Sequence, residues 1–374
     1  MSKVIVKQVA KYDYAVVSKA VKEIFDSVGG ICEVVKPGQR VLLKPNLLGV
    51  SRIDEAIVTH PMVVRVVAEF VLEAGGLPFV SDSPAMGTWK KVIAETGLAK
   101  AMEGLDVPLY PFQRSKVIEA AMSPFKKIEL AQEALEADVV INLPKLKTHN
   151  QLLLTLCVKN LFGCVVGMKK PEWHYRAGIN TDYFASLLLT IHNLVRPAFT
   201  ILDGILAMEG DGPGKSGTPR QLGVLMGGQD GIAVDIAVCR MIGLKPEQLA
   251  TNAAAIKGMG YRVDDIVIEG QLPKVQGFKL PETGGLLFGP KFLHKWLRKY
   301  FLRRPESDRQ MCKLCGECWK YCPALAIGHK NKQLHMDYNK CIRCFCCVEV
   351  CPFGAMKTKV PLGGKALQLK KLLP

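Results

Sequence analysis

The sequence predicts an α/β protein: a mostly parallel sheet with flanking helices, followed by a small cysteine-rich C-terminal module. Three observations carry this. Over roughly the first 280 residues, short β-branched runs alternate with stretches of helical hydrophobic period, the pattern of strands joined by crossover helices. Nine of the 13 cysteines crowd between Cys312 and Cys351. The 374-residue chain is 49% hydrophobic and 22% charged, enough apolar material for one large core and a second, smaller unit.

Residues 4–9 alternate apolar with polar side chains as a first strand. Val17, Ala20, Val21, Ile24, Phe25 and Val28 then share one helical face, closed by Gly29-Gly30. Residues 40–43 form a second strand. Pro61 suits the first turn of a helix carrying Val63, Val64, Val67, Phe70 and Val71 and ended by Gly75-Gly76. Residues 77–80, 139–142, 199–202, 222–226 and 266–269 read as further strands. Helices open near Thr181 or Asp182 and run from about Asp230 to a stop at Gly243. The N-terminus reads as a strand and not as an export signal, and no 18 apolar residues run together, so the expected location is cytoplasmic.

These patterns divide the chain into an α/β domain over 1–280, a hinge and basic amphipathic linker helix over 281–305, a metal-binding module over 306–360 and a basic tail over 361–374. The net charge of +16 is lopsided. Residues 286–374 hold 18 Lys and Arg against 5 Asp and Glu, leaving only +3 for the rest. Phe292, Leu293, Trp296, Leu297, Tyr300 and Phe301 recur at helical spacing with Lys291, Lys295, Arg298 and Lys299 between them. The plain reading is a linker helix packed on a domain. Weak contact with an anionic membrane surface through residues 291–304 is the second reading. No nucleic-acid motif accompanies the charge, so nucleic acid is not expected as a partner.

The module contains an internal repeat. Cys312-x2-Cys315-x2-Cys318-x3-Cys322-Pro323 recurs as Cys341-x2-Cys344-x2-Cys347-x3-Cys351-Pro352. Three thiolates in one tight loop hold three irons of a cubane, and the fourth, before Pro, reaches to the other site. By that rule Cys312, Cys315, Cys318 and Cys351 hold one 4Fe-4S cluster, and Cys341, Cys344, Cys347 and Cys322 the other. Structural zinc also uses paired thiolates, but its spacing does not require two triplets each trailed by Cys-Pro. Cys346 falls outside this pattern and reads as a buried small hydrophobe or spare thiol. The segment resembles a bacterial-type two-cluster ferredoxin, which implies low-potential one-electron transfer. Its basic character either steers an acidic redox protein of ferredoxin or flavodoxin type toward it as partner or simply keeps the module soluble.

Polar residues gather just after the apolar strands of the large domain: Lys44-Pro45-Asn46, Asp82, Asn142 through His149, and Asp203-Gly204. In open α/β sheets the carboxyl ends of strands border the ligand crevice. Lys44, Lys145 and Lys147, with Lys159-Asn160 shortly after, point to a small anionic ligand. His60 and His149 are candidate proton donors. Asn46, Asp82, Lys159, Asn160, Asp203 and Glu209 complete the candidate binding set. Glu209-Gly210-Asp211-Gly212-Pro213-Gly214-Lys215-Ser216 lacks the spacing of a phosphate loop and reads as a lid or an exposed turn.

Residues 1–270 resemble the family labelled domain of unknown function 362. The matching pieces are Lys44-Pro45-Asn46, the run from Asn142 to His149, Val158-Lys159-Asn160-Leu161-Phe162-Gly163, Asp203-Gly204 with Glu209-Gly210 and Gly212-Pro213, and Ala233-Val234-Asp235. The resemblance implies the fold and a C-terminal two-cluster segment without a settled reaction. The combined expectation is an iron–sulfur redox protein, possible as a reductase, whose two 4Fe-4S clusters pass electrons to an anion in the Lys/His crevice. Its rival is a non-enzymatic electron carrier or maturation factor that docks an acidic protein through the same lysines.

Overall fold

The computed structural model describes residues 1–120, 125–281 and 300–364. The anticipated hinge and linker helix therefore lie outside the described residues from 282 to 299, as does the basic tail from 365 onward.

Nine strands form one mixed, mostly parallel sheet. They are β1 (Ser2–Gln8), β2 (Arg40–Pro45), β3 (Leu77–Val80), β6 (Val139–Leu143), β7 (Lys145–His149), β8 (Leu153–Thr155), β9 (Phe199–Gly210), β10 (Gly217–Gly228) and β11 (Ile266–Glu269). The hairpin of β4 (Ser115–Glu119) and β5 (Lys127–Ala131) stands apart as its own two-stranded sheet. The main order is β11-β1-β10-β9-β6-β2-β3, with β7 paired to β9 and β8 to β7. Helices Tyr14–Asp26 and Pro61–Glu73 bury Val17, Val21, Ile24, Val63, Val67 and Val71 in one core layer. Helices Thr181–Val195 and Gly231–Met241 bury Phe184, Leu188, Val234 and Val238 in the other. The sheet lies between two apolar layers, so its strands read as nearly continuous hydrophobic runs.

Two differences from the sequence reading matter for function. The polar run after β6 is not a loop. Pro144 has no N–H to give to a ladder, but the chain resumes as β7 directly behind it, beside β9. The Gly-rich segment around 211–216 is the turn of the long β9–β10 hairpin; it is not exposed, and its Pro213 reaches the crevice.

The C-terminal module packs on that turn. It is built from β12 (Arg304–Ser307) with β15 (Met356–Lys359), and β13 (Ile327–Lys330) with β14 (Gln333–Met336). Ser216 donates to the Met356 carbonyl at 3.0 Å, and Thr358 donates to Asp211 at 2.9 Å. Arg303 donates to the Asn150 carbonyl at 2.6 Å. Gly214 permits the contact sterically, because a Cβ there would stand 2.7 Å from the Glu349 carbonyl oxygen. Among the described residues no helix is long and apolar enough to cross a membrane.

Candidate functional site

The site grows from the alternation of β7. Lys145, Lys147 and His149 are every second residue of a strand and so project to one side, and all three are at most 1% exposed. β2 brings Lys44 opposite Asn142 of β6, and β9 brings Asp203 opposite Lys145.

The structure splits the anticipated set of lysines and histidines in two. Lys145 is held by Asp203 at 2.8 Å and donates to the Tyr12 hydroxyl at 2.9 Å. Tyr12 in turn donates to the other Asp203 oxygen at 2.8 Å. Burial works against an ionised Asp203, but Lys145 and the His60 backbone N–H hold its pKa below the usual range. Burial and the Asp203 charge raise that of Tyr12, which keeps its proton. His60 stacks on Tyr12 with ring centroids 3.6 Å apart, and its Nδ1 accepts from Met62 N as a helix cap. Burial lowers its pKa to about 4. Lys44 is likewise matched, 2.9 Å from Asp82, which also accepts from Leu47 N and Ser83 N. Gly163 makes room for this pair, since a Cβ there would fall 2.6 Å from Lys44 Nζ.

Lys44 and Lys145 are therefore not free to hold an anion, and His60 is not a free proton donor; their charges and lone pairs are already matched inside the protein. Glu209 is also corrected. It is paired with Arg220 at 2.7 Å and accepts from Lys279 N, away from the pocket described next.

The remaining members come together with the module. A pocket of about 90 Å³ is lined by Asn46, Asp82, Lys147, His149, Thr155, Lys159 and Asn160 of the large domain and by Tyr321, Cys346, Glu349 and Val350 of the module. Lys147 donates to Asn46 Oδ1 at 2.8 Å and to the Ile57 carbonyl at 2.6 Å, both neutral acceptors. Asn46 donates to Asn160 and Asn160 to Asn142, a chain that fixes each amide. Burial lowers the Lys147 pKa to about 7, only partly opposed by Glu349. Lys159 lies 4.4 Å from the Phe162 ring centroid and has no hydrogen-bond acceptor among the described residues. Thr155 Oγ1 is buried without a partner. His149 Nδ1 accepts from Gln151 N and Leu152 N, so the ring proton sits on Nε2, 3.0 Å from Glu349 Oε1. Burial pushes the His149 pKa down, which leaves a neutral ring against a carboxylate.

Four lining groups were not anticipated: Lys170, with a pKa lowered to about 7 by burial, His174, Thr155 and Glu349. Glu349 lies between two cluster-motif cysteines, 200 residues from His149, and nothing local marks it.

In the module, one cavity is lined by Cys312, Cys315, Cys318 and Cys351, and another by Cys322, Cys341, Cys344 and Cys347. These are the two interleaved quartets of the repeat. Ala326 N donates to Cys322 Sγ at 3.3 Å, as suits a thiolate. Among the described residues no three His, Cys, Asp or Glu groups are placed to hold a metal ion. Each quartet surrounds a space and not a point, which fits a cubane better than a tetrahedral zinc. Cys346 borders both the second cavity and the pocket.

A family model described as "Domain of unknown function (DUF362)" matches residues 41–240. A thylakoid-associated protein of Synechocystis sp. is 38% identical over 298 residues, 78% of this chain and 92% of that one. The chain belongs to the DUF362 family. A second model, described as a 4Fe-4S dicluster domain, matches residues 304–352. Over this region the DUF362 protein is 38% identical to a pyruvate synthase subunit of Methanocaldococcus jannaschii, across 15% of this chain and 66% of that subunit. It is 39% identical to a trichloroethene reductive dehalogenase of Dehalococcoides mccartyi, across 13% of this chain and 11% of that enzyme. The lactate racemase apoprotein of Thermoanaerobacterium thermosaccharolyticum is similar at a TM-score of 0.42 and 10% identity, covering 62% of this chain and 55% of that one, too slight a likeness to bear on function. The protein is thus an iron–sulfur protein with a 4Fe-4S, ferredoxin-type region of the electron-transfer kind.

The matched pairs are expected to be structural. Lys145→Ala or Asp203→Ala leaves a buried charge alone and should lower stability by about 3–5 kcal/mol. The double change Lys145→Met/Asp203→Leu should cost less than the sum. Urea unfolding followed by far-UV circular dichroism checks both.

Proposed function

We propose that this protein is an iron–sulfur reductase, with one 4Fe-4S cluster in each cysteine quartet and a small anionic substrate or cofactor in the pocket between module and sheet. The observation that carries this reading is the shared wall: Cys346 borders both the pocket and the Cys322, Cys341, Cys344 and Cys347 cavity. When bound, the clusters supply single electrons at low potential.

The residues of the chain do the rest. Lys147 and Lys159 attract the anion, and Thr155 Oγ1 gives it a hydrogen bond that no other group takes. Asn46 and Asn160 hold the Lys147 ammonium in place. Leu47, Phe162, Pro171 and Pro213 supply apolar walls of the pocket. The proton for a reduced product comes from Lys147, whose pKa near 7 lets it both hold and give one. His149 is the weaker choice, because burial pushes its pKa below the usual value and leaves a neutral ring.

The rival reading, docking of an acidic protein through Lys44, Lys145 and His149, has less support because those side chains are buried and not splayed on a face. The electron donor on our reading is an acidic carrier of ferredoxin or flavodoxin type. We place the protein in the cytoplasm. The name of the Synechocystis relative and the basic stretch 291–304 favour contact with a membrane surface there.

Two measurements test this. Anaerobically purified protein should contain about eight irons and eight acid-labile sulfides; stoichiometric zinc without iron would refute the redox account. Calorimetric titration with acetate and inorganic phosphate should show binding that weakens as pH rises through 7. A free-state lysine pKa near 7 must be protonated to hold an anion, so one such group gives about a tenfold loss of affinity from pH 6 to 8, with proton uptake at the upper end. Lys159→Met should weaken binding at both pH values and leave cluster spectra unchanged.

A further inference from the structure

A second concavity, of about 340 Å³, lies on the module itself, between β12, the segment leading to Cys312 and the β13–β14 hairpin. Arg304, Arg309, Lys332 and His335 line it, together with Tyr338 and Cys312. Its acidic lining residue, Glu306, is already matched by Lys359 at 2.7 Å and Arg304 at 3.7 Å. Arg304 lies over the Tyr338 ring at 4.4 Å, and its Nε is buried without a hydrogen-bond partner. Arg309 and Lys332 are exposed and enter no ion pair among the described residues. The groove therefore presents positive charge that the protein itself does not compensate.

The two quartets differ in their access to this surface. Each quartet has two buried cysteines, but the first also has the exposed Cys315 and the half-buried Cys312, which lines the groove, whereas the second has only the half-buried Cys322 and Cys341. A donor approaching from solvent meets the Cys312 quartet first. The cations of the groove come from three separate segments and line a concavity of about 340 Å³, far larger than one small anion fills, which suits the acidic surface of a protein.

We propose that this groove is the docking site of an acidic one-electron carrier protein, which delivers electrons at the Cys312, Cys315, Cys318 and Cys351 quartet. The proposal rests on the reading of the module as an electron relay. In each encounter the carrier is oxidised by one electron and the module reduced by one, with no atom transferred. Two encounters supply a two-electron reduction in the pocket.

The test uses the full holoprotein and a reduced, acidic two-iron ferredoxin in stopped flow at low and high ionic strength. Arg309→Glu/Lys332→Glu should lower the second-order reduction rate on the order of tenfold at low salt and flatten its salt dependence. Its electron paramagnetic resonance spectrum and its reduction by dithionite should match the parent. The charge-matched control Lys91→Glu/Lys257→Glu, on the large domain, should leave the rate unchanged. An unchanged rate in the groove variant, or an equal loss in the control, overturns the proposal. So does a groove variant that loses binding of inorganic phosphate while keeping the carrier rate, which would mark a small-anion site. Failure of dithionite to reduce the parent protein would instead overturn the relay reading beneath it.

Discussion

Burying an ammonium group is the constraint around which this structure is arranged. Removing such a charge from water costs several kcal/mol even after relaxation, and only a close counter-charge or good hydrogen bonds offset it. Three lysines at the strand ends, Lys44, Lys145 and Lys147, are almost fully excluded from solvent. Asp82 and Asp203 neutralise the first two within the large domain. Lys147 hydrogen-bonds only neutral oxygens there, and Glu349, which favours its charge more than Asp82 does, arrives with the ferredoxin-type module. Docking of the module is therefore part of the site's electrostatics. Glu349 and His149 meet across the junction, and Gly214 lets the backbones close.

Much of the fold was legible because its signals are local. The strands at 77–80 and 266–269 and the helix opening at Thr181 follow from short apolar runs and caps, and the structure places them there. The cysteine repeat was legible for the same reason: ligand spacing is a property of one short segment. β7 was missed because Lys, Thr and His in alternation look like a solvated loop, and only the tertiary setting makes five consecutive buried residues of them. The pairing of Lys145 with Asp203 depends on the register between β7 and β9. No sequence pattern distinguishes an ammonium that holds a ligand from one that holds an aspartate. Glu349 was invisible for a related reason, since its partner is set by docking and not by neighbours in the chain.

The two candidate surfaces lie beside different quartets. The groove beside Cys312 is cationic and lies on the module alone, and the pocket beside Cys346 is smaller and shared between domains. Interleaving of the two Cys-Pro ligands ties the quartets into one unit, because each loop contributes to both cavities. A carrier at one end and a small anion at the other would then never compete for space.

The most direct test of the proposed two-cluster arrangement is a potentiometric titration, at pH 6, of the parent protein and of Lys147→Met/Lys159→Met. Reduction adds negative charge, so removing two cations beside one cluster makes that cluster alone harder to reduce. The account predicts that one midpoint potential falls while the other stays. Two unchanged potentials, or two that fall equally, would contradict the placement of the pocket against a single cluster.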